Sequence, residues 1–236
     1  VENFCLLTCE HASYHIPRQF HALFAHERSH LKTHQGYDIG ARYYAEAIAQ
    51  SLSCPVVFGR VSRLLVDLNR SLHNPTLFSH ITKDLDMKTQ QVIIARYYTP
   101  FRAKARQIVE QKIREGKRVI HISCHSFAPI LGKVERKMDL GILYNPNRSL
   151  EKAFSNALRQ RLVADTSMRI RLNAPYRGVS DGHVSALRKI FSPETYMGIE
   201  LEISQAMYSF QREEIWKHVW LPRLIEELSI LTEEFS

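Results

Sequence analysis

Two apolar runs of strand length each break off at a histidine. Asn3 to Cys9 (NFCLLTC) runs into Glu10-His11, and Arg118 to Cys124 (RVIHISC) runs into His125-Ser126. Short, nearly continuous apolar runs read as strands buried on both faces, the habit of parallel sheets. Parallel strands need crossover connections, which are usually helical. The intervening sequence supplies them. Asp38 to Leu52 has helical spacing at Ile39, Tyr43, Ala47, Ile48 and Leu52, with Asp38 placed as an N-cap. Lys88 to Glu115 is the longest helical pattern, broken at Pro100 and stopped at Gly116. Leu150 to Val163 is a third helix, and Arg212 to Phe235 a closing one interrupted at Pro222. Pro55 to Phe58, Leu140 to Tyr144, Ile170 to Leu172 and Tyr196 to Ile203 read as further strands. Arg63 to Leu68 is another apolar run, ending in Asn69-Arg70, whereas His73 to Asp86 and Asn173 to Gly178 are loops. Strands alternating with helices predict an α/β fold on a mostly parallel sheet. With 236 residues and no repeat, low-complexity tract or linker, one domain over residues 1–236 is expected.

The same pattern places the chemistry. His11, Asn69-Arg70 and His125 all follow apolar runs directly. In open α/β sheets the ligand crevice lies at the carboxyl ends of the strands, so three strands are expected to deliver polar groups to one edge.

Composition excludes several classes. No apolar run approaches the ~18–20 residues of a membrane span, and the first residues lack a signal pattern, so a cytoplasmic protein without membrane contact is expected. The formal net charge is +8, yet no dense Lys/Arg block accompanies it, so nucleic acid is not an expected partner. Arginines in loops between strands are instead tools for gripping carboxylate. Cys5, Cys9, Cys54 and Cys124 form no CxxC pair and read as free core thiols of a reducing compartment. There is no GxSxG, P-loop, GxGxxG or HExxH motif, which removes most support for serine hydrolysis and nucleotide binding.

A catalytic metal needs imidazoles or carboxylates on rigid positions and one open site. His11 and His125 suit that role; either could equally be an ordinary core or surface histidine. A third ligand could be Asp38, which could also be only a helix cap, or Glu10, whose side chain should point away from that of His11. Arg70 can clamp a carboxylate, Asn69 can add a donor, and Arg63 can stabilise an oxyanion, while Asp67 can form a structural ion pair with an arginine. Glu200 and Glu202 share one face of a strand; one could act as a general base, but alternation alone favours an exposed polar face on an edge strand.

Together these pieces resemble the N-formylglutamate amidohydrolase family. The resemblance rests on Glu10 to Ser13 with Ile16-Pro17, His34 to Gly40 (HQGYDIG), Ser62 to Arg70 (SRLLVDLNR) and His125 to Phe127. It continues through Asp139 to Tyr144 (DLGILY), Asn173 to Tyr176 (NAPY) and Gly198 to Tyr208 (GIELEISQAMY), so that it covers nearly the whole chain. The family looks like a relative of the zinc carboxypeptidases and of aspartoacylase. The resemblance therefore implies a three-layer α/β/α fold with a mixed, mainly parallel sheet. It also implies one Zn²⁺ per chain held by His11, His125 and Asp38, with Glu202 as base and Glu200 as the fallback. Arg63 becomes the oxyanion donor, and Asn69 and Arg70 the carboxylate clamp; Arg136, Tyr176 and Arg177 are loop residues that could line the pocket. The implied substrate is a small N-formyl or N-acyl acidic amino acid. Two departures stand out: Ala12 to His15 carries no zinc carboxylate, and Glu10-His11 replaces the Pro-His of many members. A carboxypeptidase-like or cell-wall peptide amidase on the same frame is one alternative. A decayed binding module with a basic surface is the other.

Overall fold

Strands form where β-branched and aromatic residues dominate the apolar runs. The structure is a computed structural model and describes residues 1–209 and 212–235. The strands are β1 (Asn3–Cys9), β2 (Val56–Phe58), β3 (Arg118–Phe127), β4 (Ile130–Leu131), β5 (Val134–Glu135), β6 (Leu140–Leu143), β7 (Ile170–Leu172) and β8 (Tyr196–Ser204). The helices are α1 (Arg28–Leu31), α2 (Ala41–Ser51), α3 (Met87–Ile93), α4 (Thr99–Arg114), α5 (Ser149–Asp165), α6 (His183–Arg188), α7 (Glu213–Ile215) and α8 (Leu221–Glu234). Six strands make one sheet in the order β2-β1-β3-β8-β6-β7, and β4 pairs with β5 in a separate hairpin. Strands β2, β1, β3 and β8 are parallel; β6 runs antiparallel to β8, and β7 parallel to β6. The mixed, mainly parallel sheet expected from the sequence is the one found.

Both faces of the sheet are covered. On one, Leu7, Ile122, Leu201 and Ile142 pack with Tyr44 and Ile48 of α2, Phe154 and Leu158 of α5, and Leu224 and Leu228 of α8. On the other, Leu6, Val57, Val119 and Tyr196 pack with Ile93 of α3, Phe101 and Val109 of α4, and Leu187 of α6. Each fully buried side chain of this size stabilises the fold by roughly 1.5–3 kcal/mol relative to exposure, which is what holds the layers together.

Four local expectations are corrected. Arg63 to Leu68 is a set of turns, not a strand. Its apolar side chains fill the second core while the Ser62 hydroxyl accepts from Leu64 N at 3.2 Å, and apolar runs alone do not separate such turns from strands. Helix α2 buries Ala41, Tyr44, Ala45 and Ile48, so its face is rotated from the expected one and Tyr43 is exposed. The Tyr44 hydroxyl explains the choice: it reaches the carbonyls of His125 (2.8 Å) and Leu201 (2.9 Å) under the sheet. The helices at Pro100 and Pro222 are widened rather than broken. Residues 94–98 and 216–220 adopt π-helical turns just before each proline, which lacks the N–H a tighter turn would use. Finally, β8 lies between β3 and β6, so Glu200 and Glu202 are buried inside the sheet rather than exposed on an edge. The stop at Gly116 is as expected, with φ of +80°.

Candidate active site

Period-two alternation decides what reaches the cleft. Thr8, then His121, Ser123 and His125 of β3, then Glu200 and Glu202 of β8 share the face opposite Leu7, Ile122 and Leu201. Register sets them side by side, with Thr8 opposite Ser123, Ser123 opposite Glu200 and His125 opposite Glu202. All six are buried.

At the carboxyl end of this ladder, His11, Asp38 and His125 meet. Asp38 Oδ2 lies 2.8 Å from His125 Nδ1 and 3.4 Å from His11 Nδ1. One donor atom from each of the three falls within 4.8 Å of the others. Asp38 is not a helix cap: Gly40 stands between it and α2, and the Asp38 side chain is committed to the two histidines and Arg63. Gly40 has φ of +78°, and a Cβ there would lie 2.0 Å from the Tyr208 ring, so the turn that presents Asp38 requires glycine.

Carboxylates hold the second nitrogens of both rings. His11 Nε2 is 2.7 Å from Asp67 Oδ1, and His125 Nε2 is 3.3 Å from Glu10 Oε2. Arg63 bridges the acids, donating to Asp38 Oδ1 (3.2 Å) and Asp67 Oδ2 (3.3 Å). Burial works against ionising Asp38 and Asp67, but His11 and Arg63, joined at Asp38 by His125, hold both well below the usual carboxylate range. Burial disfavours charge on His125, yet Asp38 and Glu10 raise it well above an ordinary histidine. The set fits a divalent cation by its donor chemistry. Two imidazoles and a carboxylate converge, and the remote ring nitrogens bond carboxylates, as the outer partners of ligating histidines do.

Glu200 and Glu202 face this group from β8. Burial raises both, and carries Glu202 up to about 8. Glu202 Oε2 is buried without a hydrogen-bond partner among the described residues. Glu200 approaches the remote side of His125, with Oε2 4.0 Å from Nε2. Glu202, opposite His125 in register, is lowered by His125 and Arg63 and raised by Asp38 and Glu200, but burial outweighs them.

A cleft of about 400 Å³ opens on these residues and is also lined by Asn69, Arg70, Tyr176, Arg177 and Asp181. The carbonyl of Arg70 accepts from Tyr98 Oη (2.8 Å) and Arg102 Nη2 (2.9 Å). Its guanidinium donates to the carbonyls of Asn69 (3.1 Å) and Asp181 (3.2 Å). Arg177 has no ion pair or side-chain hydrogen bond among the described residues. Asn173 Oδ1 accepts from Tyr144 N (3.1 Å) and Gly178 N (3.0 Å), which ties the loop bearing Tyr176 and Arg177 to the end of β6. One expectation differs. Arg136 does not line the cleft; it stacks behind Tyr176, 5.2 Å from the ring centroid. Asn69 lines the cleft while its Oδ1 accepts from His183 N at 2.6 Å. A larger concavity of about 530 Å³ beside β2 has Arg42, Arg60, Arg96 and Lys104 but no carboxylate or histidine that could activate water.

Sequence reasoning missed the pairing of Asp67 with His11, and it missed His183 altogether. The signal for the inner polar residues was present: Thr8, His121 and Ser123 interrupt apolar runs with period two. His183 carried none, since it starts a short helix that periodicity does not reveal.

The comparisons with known proteins bear on the fold and the family. A gene product of Agrobacterium tumefaciens superposes with a TM-score of 0.79 at 24% identity, over 98% of this chain and 89% of its own. An N-formylglutamate amidohydrolase of Ralstonia eutropha JMP134 superposes with a TM-score of 0.69 at 18% identity, over 99% of this chain and 93% of its own. At these identities the likeness shows the shared fold. No curated protein matches the sequence. The sequence model of the N-formylglutamate amidohydrolase family matches residues 4–209, and the chain belongs to that amidohydrolase family.

Proposed function

We propose that this chain is a zinc-dependent amidohydrolase that cleaves the amide bond of a small N-formyl or N-acyl acidic amino acid, in the manner of N-formylglutamate. The observation that carries the reading is the convergence of His11, Asp38 and His125 opposite Glu202, whose Oε2 has no partner among the described residues, in one cleft with Arg70 and Arg177.

His11, Asp38 and His125 would hold the metal. A bound zinc ion supplies Lewis acidity, which makes water nucleophilic near neutral pH and polarises a carbonyl. Glu202 takes the proton of the attacking water and delivers it to the leaving nitrogen. Its raised pKa suits a group that must accept and release a proton near neutrality. Glu200 lies on the wrong side of His125 for that task. Arg63, anchored by Asp38 and Asp67, stabilises the developing oxyanion, a role typically worth about 3–4 kcal/mol. Arg70 and Arg177 bind the substrate carboxylates, with Tyr176 closing one wall. Asn69, whose Oδ1 accepts from His183 N, lines the same cleft with its amide. Arginines at the cleft favour a small acidic substrate over a peptide, which distinguishes this reading from a peptide amidase.

The test is the metal content of the purified chain together with a chelator-controlled panel of N-formyl and N-acyl amino acids and short peptides. About one zinc per chain and hydrolysis confined to acidic N-acyl amino acids support the proposal. Hydrolysis of peptides alone moves it to the amidase alternative, and absence of bound zinc after reconstitution overturns it.

A further inference from the structure

Behind His125, away from the cleft, lies a buried polar chain that the proposed reaction does not use. Its centre is Glu10, which is 0% exposed. Glu10 Oε1 contacts Thr8 Oγ1 and His183 Nδ1, both at 2.8 Å. Oε2 contacts Ser123 Oγ at 2.7 Å and lies 3.3 Å from His125 Nε2. A carboxylate can only accept, so each of these partners donates. Thr8 thereby uses its proton, and its oxygen accepts from His121 Nε2 at 2.8 Å. The bare Nδ1 of His121 then accepts from the Tyr196 hydroxyl at 2.7 Å. Ser123 likewise gives its proton to Glu10, and its oxygen, 3.0 Å from His125 Nε2, is an acceptor. With acceptors on both sides, His125 Nε2 must carry a proton, and by the same rule Nδ1, 2.8 Å from the Asp38 carboxylate, donates there as long as no cation takes the proton's place. The Asn69 amide nitrogen, 3.4 Å away, is then a contact and not a bond.

We infer that Glu10 and His183 are positioning residues for His125: they hold its Nε2–H edge toward the interior and so turn Nδ1 toward Asp38 and the cleft. This rests on the metal-site reading above. A packing role alone does not explain His183. Its ring sits 5.3 Å from Phe101 and 5.7 Å from His121, and among the described residues its Nε2 is buried with no partner. A phenylalanine would fill that space without the orphaned acceptor. What histidine adds is the N–H that Glu10 receives. That bond holds the carboxylate against His125 rather than letting it turn wholly to Thr8 and Ser123.

Variants His183→Phe, His183→Asn and Glu10→Gln test this. The readouts are zinc affinity by competition with a chromophoric chelator, the absorption spectrum of the Co²⁺ form, and folding by circular dichroism. His183→Phe keeps the packing and deletes the donor, and His183→Asn returns an N–H near the Nδ1 position. Outer partners of this kind typically change metal affinity about 10–100-fold. We expect about tenfold weaker zinc binding and an altered Co²⁺ spectrum in His183→Phe, recovery of both in His183→Asn, and a loss of about 10–100-fold in Glu10→Gln. If Glu10→Gln does not fold, the two His183 variants decide. Equal zinc affinity in folded wild type and His183→Phe overturns the inference, as does equal weakening in the Phe and Asn variants. A wild type that binds neither ion removes the metal-site reading and this inference together, a pattern distinct from failure in the variants alone.

Discussion

Burial raises the Glu202 carboxyl to about 8, and one of its oxygens has no partner among the described residues. In a buried site that oxygen is costly unless something visits it, which is why Glu202 is the residue to test for proton transfer. Glu202→Gln is expected to keep the fold and zinc affinity while turnover falls about 10²–10⁴-fold, the usual range for losing a general base. Stopped-time assays of product beside metal analysis check this; undiminished turnover would reassign the base. Arg70 is held through its carbonyl by Tyr98 and Arg102, so its backbone survives truncation of the side chain. Arg70→Ala is therefore expected to raise KM about tenfold or more with kcat less affected, as for loss of a charged hydrogen bond of about 1.5–3 kcal/mol.

Among the elements, the turn into α2 depends on one glycine. Gly40 has a left-handed φ, its carbonyl accepts from Tyr208 Oη at 2.9 Å, and the Tyr208 ring fills the space a Cβ would need. Gly40→Ala is expected to lower Tm by the equivalent of about 1–3 kcal/mol, because strain and a displaced ring add, and to weaken zinc binding by moving Asp38. A variant as stable as wild type would show the turn to be pliable. The joint between β6, β7 and the end of β8 depends on Asp139. Asp139 accepts from Arg169 N (2.8 Å), Arg169 Nη2 (2.9 Å) and Arg212 Nη1 (2.8 Å). Burial opposes its charge, but Arg169 and Arg212 hold its pKa below the ordinary value. A depressed carboxyl pKa stabilises the fold above the unfolded-state pKa and loses that effect as pH falls through the folded-state value. The stability gap between wild type and Asp139→Asn is thus expected to be full at pH 7 and to shrink below about pH 4. Chemical denaturation at both pH values measures it.

For the molecule as a whole, the cleft joins parts distant in sequence: the end of β1, the turn before α2, the turns around Asn69, and the ends of β3 and β8. A ligand held by His11, Asp38 and His125 therefore staples long-range contacts, and binding to the folded state alone raises stability by RT ln(1 + [L]/Kd), about 4 kcal/mol at a thousandfold excess over Kd. Chelation is expected to lower Tm by several degrees, zinc to restore it, and His125→Ala to show no response to either. Identical melting of wild type with and without chelator would contradict the stapling.

What the sequence alone determined was local and periodic. Alternating apolar runs and helical spacing set the α/β class, and the histidines closing NFCLLTC and RVIHISC marked the sheet edge where chemistry collects. HQGYDIG and GIELEISQ contained Asp38 and Glu202, although local pattern read them as a cap and an exposed face. Only the tertiary structure decided otherwise. Strand order buries β8 in the sheet, and register brings Glu202 beside His125. The pairing of Asp67 with His11 and of Glu10 with His183 likewise spans 56 and 173 residues of chain. Periodicity reports which face a residue takes, whereas strand order, register and long-range pairing depend on the summed packing of the whole chain.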